Sequence, residues 1–309
     1  MDKSQLMAEI KKISKQKNAV IMAHYYQEND IQDVADFIGD SLALAQKAAT
    51  TTADIIVICG VHFMGETAKI ICPDKKVLVP DINAGCSLAD SCKAEELKRF
   101  IDKHPGHTVI SYVNTSAEVK ALTDIVVTST NAKNIVDRLP EDTKIIFGPD
   151  RNLGNYINSV TGRNMLLWDG ACHVHEQFSL DKLIELKKQY PKAKTLAHPE
   201  CKKHITQLAD VVGSTQALLN YATNSQDDIF IVATESGILH EMKKQNPNKT
   251  FIPLPTDDNN KCNECNYMRM NTLEKLYNCL LNETNEIIVD ENISKKAIKS
   301  INRMLEMSK

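Results

Sequence analysis

The sequence predicts an α/β protein of three homologous three-layer α/β/α domains, whose parallel sheets surround a pseudo-threefold axis. Strand-like runs end near His24, Tyr112 and His198, which are 88 and 86 positions apart. The same offsets relate two further sets of residues: Asp36, Asp124 and Asp210, and Ser41, Ser129 and Thr215. Internal periodicity takes priority over length as an indicator of domain number. We therefore predict domains over residues 1–85, 86–171 and 172–309, the third ending with an added strand and helix.

Each unit has the same order of predicted elements. The first has helices 30–37, 42–49 and 64–71, a tight turn at 39–41, and strands 19–23, 54–60 and 76–80. The second and third have strands 108–113, 124–127, 144–147 and 165–168, then 195–197, 210–212, 229–232 and 250–252. Helices 95–102, 180–190 and 271–281 follow the successive units, and a strand over 286–289 and a helix over 294–307 close the chain. Short apolar runs that alternate with helical segments are typical of βαβ units.

The topology expected of such units places their polar residues together. Right-handed crossovers put every strand-to-helix loop at one edge of a parallel sheet, and ligands bind at that edge. His24, Tyr112 and His198 lie there, and Tyr26, Asn114 and Glu200 follow each of them by two positions. Three units that face one axis would bring all six side chains into one pocket, which we predict to be the active site.

Composition excludes several classes of protein. The 309 residues are 42% hydrophobic and 25% charged, with a formal net charge of −3, which argues against a nucleic-acid or membrane partner. The N-terminus has helical spacing and no apolar signal core, and no segment approaches the ~18 apolar residues of a membrane span. We therefore expect a cytoplasmic protein, in which the nine cysteines are not structural disulfides.

Cysteines recur at equivalent points of the three units. Cys86 and Cys172 follow the last strands of the first two units, and the pair Cys262 and Cys265 follows the third. Structural zinc sites use paired short motifs, whereas iron–sulfur clusters accept distant thiolates. Three thiolates on a four-iron cube would leave one iron open as a Lewis acid. Spacing alone does not choose between Cys262 and Cys265.

The other cysteines have simpler interpretations. Cys59 and Cys279 lie in apolar segments and are expected to be small buried hydrophobes. Cys72 and Cys92 are expected to be inert. Cys201 follows Glu200 and stays ambiguous, because it lies beside the predicted site.

The hydroxyl residues Ser41, Ser129 and Thr215 each follow a strand and precede a helix. They are either helix N-caps or part of anion sites at helix N-termini, and these two roles are compatible. His24 and His198 are candidate carboxylate partners or proton carriers.

Further candidates surround these positions. Glu200 would act as a general acid or base if a desolvated site raises its pKa, and Tyr26 and Tyr112 can donate to developing oxyanions. The remaining candidates are His173 and His175, either supporting a metal ligand or forming an unrelated metal site with Cys172, and Arg151, which could reach an anion.

Taken together, these motifs resemble the quinolinate synthase family over almost the whole chain. The resemblance is carried by the segments 23–27, 39–41, 112–116, 148–154, 198–201, 213–215 and 265–273. It implies a [4Fe-4S] cluster at the bottom of a central funnel, with three cysteine ligands and one open iron. It also implies condensation of iminoaspartate with dihydroxyacetone phosphate to give quinolinate, phosphate and water, in de novo NAD biosynthesis. The L-aspartate-oxidising enzyme that supplies iminoaspartate is a candidate partner.

The resemblance also assigns roles to residues of this sequence. It implies that the cluster ligands are Cys86, Cys172 and Cys265, and that Tyr26 is a mobile catalytic residue. We expect Glu200, Tyr26 and His198 together to be the catalytic residues that move protons. The implied substrate contacts are His24, Ser41, Tyr112, Asn114, Ser129, His198, Pro199, Glu200 and Thr215.

One segment departs from the family pattern. Some members carry three cysteines at Cys-x-x-Cys-x-x-Cys, but here the first position is Asn259. A disulfide between Cys262 and a third cysteine of that run is thereby excluded, while a Cys262–Cys265 bridge stays open. We expect the segment 256–266 and the loop of Tyr26 to close over the funnel.

Two other functions compete with this interpretation. A hydro-lyase acting on a small hydroxy acid would use the same open iron but need no phosphate site. A cluster-based oxygen or iron sensor would need a recognition surface and would be favoured by a fourth cysteine ligand, Cys201 or Cys262.

Overall fold

The computed structural model of the chain describes residues 1–257 and 263–309. Its core consists of three four-stranded sheets, and every pair of neighbouring strands is parallel. The first unit contains α1 (Lys3–Gln16), β1 (Ala19–His24), α2 (Asn29–Val34), β2 (Phe37–Gly39), α3 (Ser41–Thr50), β3 (Ile55–Cys59), α4 (His62–Ile71) and β4 (Lys76–Leu78).

The second and third sheets repeat this plan. Helices α5 (Ser87–Asp90) and α6 (Ala94–Asp102) lead to β5 (Thr108–Tyr112), α7 (Ala117–Ala121), β6 (Ile125–Val127), α8 (Ala132–Asp137), β7 (Ile145–Gly148), α9 (Arg151–Thr161) and β8 (Leu166–Leu167). Helix α10 (Leu180–Gln189) leads to β9 (Lys194–Ala197), α11 (Lys203–Thr206), β10 (Val211–Val212), α12 (Thr215–Asn224), β11 (Ile229–Ala233), α13 (Ile238–Gln245) and β12 (Thr250–Pro253). The strand orders are β2-β1-β3-β4, β6-β5-β7-β8 and β10-β9-β11-β12, so each sheet follows the same connection rule.

An aspartate forms the same pair of hydrogen bonds in every unit. Its carboxylate accepts a backbone N–H from the first strand of the sheet at 2.8 Å in all three units. Its own N–H donates to the carbonyl of that same strand residue, at 2.8 or 2.9 Å. The pairs are Asp36 with Ile21, Asp124 with Val109, and Asp210 with Thr195. This aspartate clasp places the second strand beside the first, and it confirms that the sequence period is a structural one.

Both faces of the first and third sheets are covered, as a three-layer architecture requires. In β3, Ile56 and Ile58 pack into one apolar cluster, while Val57 and its neighbours on the other face pack into a second. In β11, Phe230 and Ile231 divide in the same way between two clusters. This division follows from the alternation of side chains along a strand.

Two predicted elements were wrong. Residues 37–39 form the short strand β2, where the sequence predicted the end of a helix and a turn. The predicted strand 286–289 is absent from the described chain, where Glu286 makes only an isolated antiparallel bridge to Leu78. The last helices are α14 (Leu273–Asn282) and α15 (Glu291–Met307). They pack on elements of the first two units, α14 on α1 and α15 on α4, α7 and β6.

The search for membrane spans gave a negative result. Within the described ranges, no helix is both long enough and apolar enough to cross a bilayer.

The clasp leads to a stability prediction. Replacing Asp124 by alanine removes the acceptor of the Val109 N–H, so we expect the free energy of unfolding to fall by about 1 kcal/mol. Urea denaturation followed by circular dichroism measures the change. The control is Asp142→Ala, at an exposed position in the turn before β7; equal stabilities of the two variants would contradict a structural role for the clasp.

Candidate active site

One cavity collects the loops at the carboxyl ends of the three sheets. Its wall includes every predicted catalytic, substrate-binding and cluster residue except Pro199. The structure thus brings together Cys86, Cys172, Cys265, His24, Tyr26, Ser41, Tyr112, Asn114, Ser129, His198, Glu200 and Thr215. Their convergence follows from the parallel topology, and their individual roles stay predictions.

The three cysteines of this cavity differ from the other described cysteines. Cys86, Cys172 and Cys265 are partly exposed, whereas the rest are buried. Burial raises the pKa of the Cys86 thiol to about 12, and the nearby Cys265 adds to the rise. Burial also raises the pKa of Cys172, assisted by Glu200 and Cys86. The thiols are therefore close enough to influence one another electrostatically, and a three-sulfur donor set suits a soft metal site.

Cys201 and Cys262 have different positions with respect to this set. Cys201 is 1% exposed and its Sγ donates to the carbonyl of Ala233 at 3.2 Å, so its thiol faces the apolar core of the third unit. Cys262 lies outside the described residues, so the predicted alternative of a Cys262–Cys265 bridge stays untested.

Glu200 is the best-connected carboxylate of the cavity. The Tyr112 hydroxyl donates to its Oε1 at 2.6 Å, His175 Nδ1 lies 3.3 Å from Oε2, and His198 Nδ1 lies 3.5 Å from Oε1. Burial raises the pKa of Glu200, but the two histidines and the tyrosine outweigh it and lower the pKa to about 2. The raised pKa considered from the sequence is therefore wrong, and the side chain is a carboxylate at neutral pH.

His24 and His198 are neutral imidazoles of the same tautomer. Burial lowers the pKa of each to about 3, although Glu200 opposes the shift. The backbone N–H of Tyr26 donates to His24 Nδ1 at 3.1 Å, and that of Glu200 donates to His198 Nδ1 at 3.3 Å. Because Nδ1 accepts in both cases, the proton is on Nε2. In His198 this nitrogen donates to Ser129 Oγ at 3.2 Å.

A chain of polar contacts joins Glu200 to Tyr26. His175 contacts Glu200 on one side, and its Nε2 lies 3.0 Å from Thr234 Oγ1 on the other. The Tyr26 hydroxyl lies 2.7 Å from Thr234 Oγ1 and 2.7 Å from Thr215 Oγ1. Burial raises the pKa of Tyr26 well above its usual value, so this hydroxyl is protonated and available as a donor.

The hydroxyl residues at the helix starts are not N-caps. Asp40 caps α3 and Ser214 caps α12, which makes Ser41 and Thr215 the first helical residues. Ser129 lies two residues before Asn131, the N-cap position of α8. Because neighbouring residues occupy the cap positions, these three hydroxyls can face the cavity.

Other predicted residues lie elsewhere or have different partners. Arg151 pairs with Glu176 at 2.8 Å and Asp169 at 2.9 Å and does not line the cavity. His173 Nδ1 lies 2.6 Å from Ser87 Oγ.

Sequence reasoning missed three residues of this region. Thr234 and Glu235 follow β11, and Arg269 connects Glu235 at 2.9 Å with the carbonyl of Tyr26 at 3.1 Å. The repeat could have identified Glu235, because Asp150 has the equivalent position after β7.

A second metal-binding group overlaps the site. Single donor atoms of Cys172, His175 and Glu200 lie within 4.8 Å of one another. A metal ion held there would engage the Glu200 carboxylate directly and would leave Cys86 and Cys265 unused.

The histidine pKa shifts predict a pH-dependent stability. The folded pKa of His24, about 3, lies below the unfolded value of ~6.5, so only the unfolded chain binds this proton between those values. The contribution of the neutral His24 side chain to the free energy of unfolding is therefore fully present above pH ~6.5 and decreases as the pH falls. The metal-free protein should lose unfolding free energy between pH 7.5 and pH 5.5. We expect His24→Gln to make this loss smaller by about 1 kcal/mol. Urea denaturation at the two pH values measures the difference. The control is His204→Gln, at an exposed position, which should keep the pH dependence of the parent. If His24→Gln also kept it, the neutral state of His24 in the folded protein would be contradicted.

Comparison with known proteins identifies the family. The model of the family described as "Quinolinate synthetase A protein" matches residues 8–306. Quinolinate synthases from Microcystis aeruginosa and from a Synechocystis strain are 57% and 58% identical to the chain over 303 residues, which cover 98% of it and 95% of each relative. The quinolinate synthase of Chloroherpeton thalassium is 56% identical over 305 residues, covering 98% of this chain and 95% of that protein. This chain therefore belongs to the quinolinate synthase family of enzymes, which act in de novo NAD biosynthesis.

Proposed function

We propose that this chain condenses iminoaspartate with dihydroxyacetone phosphate to form quinolinate, phosphate and water, with Glu200 as the base. One observation carries the proposal. A single cavity holds three thiols beside a buried carboxylate that is ionised among neutral imidazoles and protonated tyrosines.

Cys86, Cys172 and Cys265 would hold the [4Fe-4S] cluster that the family uses. The donor set fits, because the three thiols share the cavity while the other described thiols are buried. When bound, the cluster would offer an iron without a protein ligand, a Lewis acid that assists loss of hydroxide from carbon. The overlapping group of Cys172, His175 and Glu200 is the less favoured metal site, because it would consume the base and ignore two thiols.

Polar groups without internal partners support substrate binding in the same cavity. The Asn114 Oδ1 and Thr128 Oγ1 atoms are buried and have no hydrogen-bond partner among the described residues. Such groups are costly unless a ligand or water satisfies them. Asn114 Oδ1 could accept a hydrogen bond from the nitrogen of iminoaspartate.

The anionic groups of the substrates match the donors of the cavity. The Nε2–H groups of His24 and His198 and the hydroxyl of Ser129 would bind carboxylates. The ten-residue helices α3 and α12 begin at Ser41 and Thr215, and their N-termini would bind the phosphate group of the triose.

Proton movement would follow the observed hydrogen bonds. Glu200 is ionised and would accept a proton from a substrate carbon, and its lowered pKa makes it a weaker base than an ordinary carboxylate. Tyr112 stabilises the carboxylate before the transfer. Tyr26 donates to oxygen that develops negative charge, and Thr234 and His175 join it to Glu200. His198 Nδ1 accepts the backbone N–H of Glu200, which holds the imidazole so that its Nε2–H lies toward Ser129 and could bind a substrate carboxylate.

The competing functions are less well supported. A hydro-lyase acting on a small hydroxy acid would have no phosphate group to bind at the N-termini of α3 and α12. A strict requirement for a triose phosphate would distinguish the two reactions. A sensor with four cysteine ligands would need a fourth ligand. Either Cys201 would have to turn from its buried position, or Cys262, which lies outside the described residues, would have to supply the thiolate. A cytoplasmic location and supply by an L-aspartate-oxidising enzyme also stay proposals.

The cluster assignment predicts a pattern among cysteine variants. After anaerobic reconstitution we expect about four irons per chain in the parent, and markedly fewer in Cys86→Ser, Cys172→Ser and Cys265→Ser, because each loses a thiolate. Cys201→Ser is the matched control and should keep the full content. Iron and sulfide analysis measures the loss.

Mössbauer spectra of the reconstituted parent then test the open iron. Added quinolinate should change the signal of one iron of the four. Spectra that do not respond to the ligand, or zinc bound in place of iron, would overturn the assignment.

The base assignment predicts a loss of turnover without a loss of cluster. We expect Glu200→Gln to reduce the rate of quinolinate formation on the order of 10²- to 10⁴-fold, since the amide cannot accept the proton. Its iron content should match the parent. Glu241→Gln, at a buried site on α13 outside the cavity wall, should stay active; near-normal turnover by Glu200→Gln would refute the role of Glu200.

A further inference from the structure

Asp150 connects a helix cap to a ligand loop. It follows β7, is fully buried, and its Oδ1 accepts the N–H groups of Asn152 at 2.6 Å and Leu153 at 2.9 Å. Its other oxygen, Oδ2, accepts the backbone N–H of Cys172 at 2.8 Å. One carboxylate oxygen therefore caps α9, and the other is reserved for the cysteine.

Glu235 has the same relation to another cysteine. It follows β11, is fully buried, and its Oε1 accepts the backbone N–H of Cys265 at 3.1 Å and an Arg269 N–H at 2.9 Å. Its Oε2 accepts the N–H of Gly237 at 2.7 Å.

Asp150 and Glu235 occupy equivalent positions of the repeat, each two residues beyond the third strand of its sheet. The corresponding residue of the first unit is Val61, two residues beyond β3. In that unit the N–H of His62 donates to the carbonyl of Ala84 at 2.7 Å instead. At this position a bond between backbone groups thus supports the loop of Cys86, whereas a buried carboxylate supports each of the other two loops.

We infer that Asp150 and Glu235 are positioning residues that fix the loops of Cys172 and Cys265 for the cluster. The inference rests on the proposed assignment of these cysteines as ligands. Groups that orient metal ligands commonly change metal affinity by ~10- to 100-fold when they are mutated. A loop whose cysteine N–H loses its acceptor samples more positions, so its thiolate leaves the cluster more often.

Asp150→Asn tests this with little effect on the helix. Asparagine is as good an N-cap as aspartate, so its oxygen can keep the two α9 amides while its NH₂ group faces the Cys172 N–H and cannot accept. We expect the reconstituted cluster to lose iron to a chelator at least ~10-fold faster than in the parent. Asp290→Asn is the matched control, because Asp290 Oδ1 caps α15 through two amides in the same way and has an exposed position.

A second pair of variants tests Glu235. Glu235→Asp shortens the side chain and withdraws its carboxylate from the Cys265 N–H, so iron loss should accelerate to a similar extent. Glu235→Gln can keep its oxygen toward Cys265 and Arg269 and should lose iron more slowly than Glu235→Asp. This pair decides the question if Asp150→Asn does not fold, as judged by circular dichroism.

The outcomes separate this inference from the proposed function. If the parent takes up no cluster, the ligand assignment itself fails. If the parent takes it up but Asp150→Asn and Glu235→Asp release iron at the rates of the parent and Asp290→Asn, the positioning role is refuted.

Discussion

The burial of a single carboxylate, that of Glu200, organises the centre of this protein. A charge that is 3% exposed is tolerated only when hydrogen bonds replace the lost water. Tyr112, at the end of the first strand of the second sheet, donates a hydrogen bond to the carboxylate, and His175 approaches it at 3.3 Å from the loop of Cys172. Fixing this charge therefore requires the second and third units to keep their relative positions, while burial keeps His24 and His198 uncharged in spite of the nearby carboxylate.

The repeat shows how one scaffold supports unequal chemistry. The aspartate clasp is identical in the three units because it only sets strands side by side. The residues two positions beyond the third strands have diverged to valine, aspartate and glutamate, and with them the support of the three cysteine loops. At the ends of the first strands, histidine, tyrosine and histidine supply two carboxylate donors and one partner for Glu200. Equivalent backbone positions thus carry different side chains, which meet in one shared cavity.

Helix capping has a functional consequence in this arrangement. Asp40 and Ser214 satisfy the first amides of their helices, so the adjacent Ser41 and Thr215 are free to line the cavity. A residue that both capped the helix and bound substrate would have to exchange one hydrogen bond for the other. Dividing the two tasks between neighbours allows the hydroxyl residues to line the cavity without giving up the helix caps.

The sequence alone determined the architecture, the three equivalent loops and nearly every residue of the cavity wall, because a period of about 87 residues places matching positions at matching strand ends. It did not reveal β2, since three residues are too few to show alternation, and it predicted a strand over 286–289 where the fold provides no neighbouring strand beyond one bridge. Only the tertiary structure decided the lowered pKa of Glu200, the contacts that hold two of the cysteine loops and the core position of Cys201. These depend on partners such as His175, Thr234 and Arg269, which other loops bring to the cavity and which no local pattern in the sequence identifies.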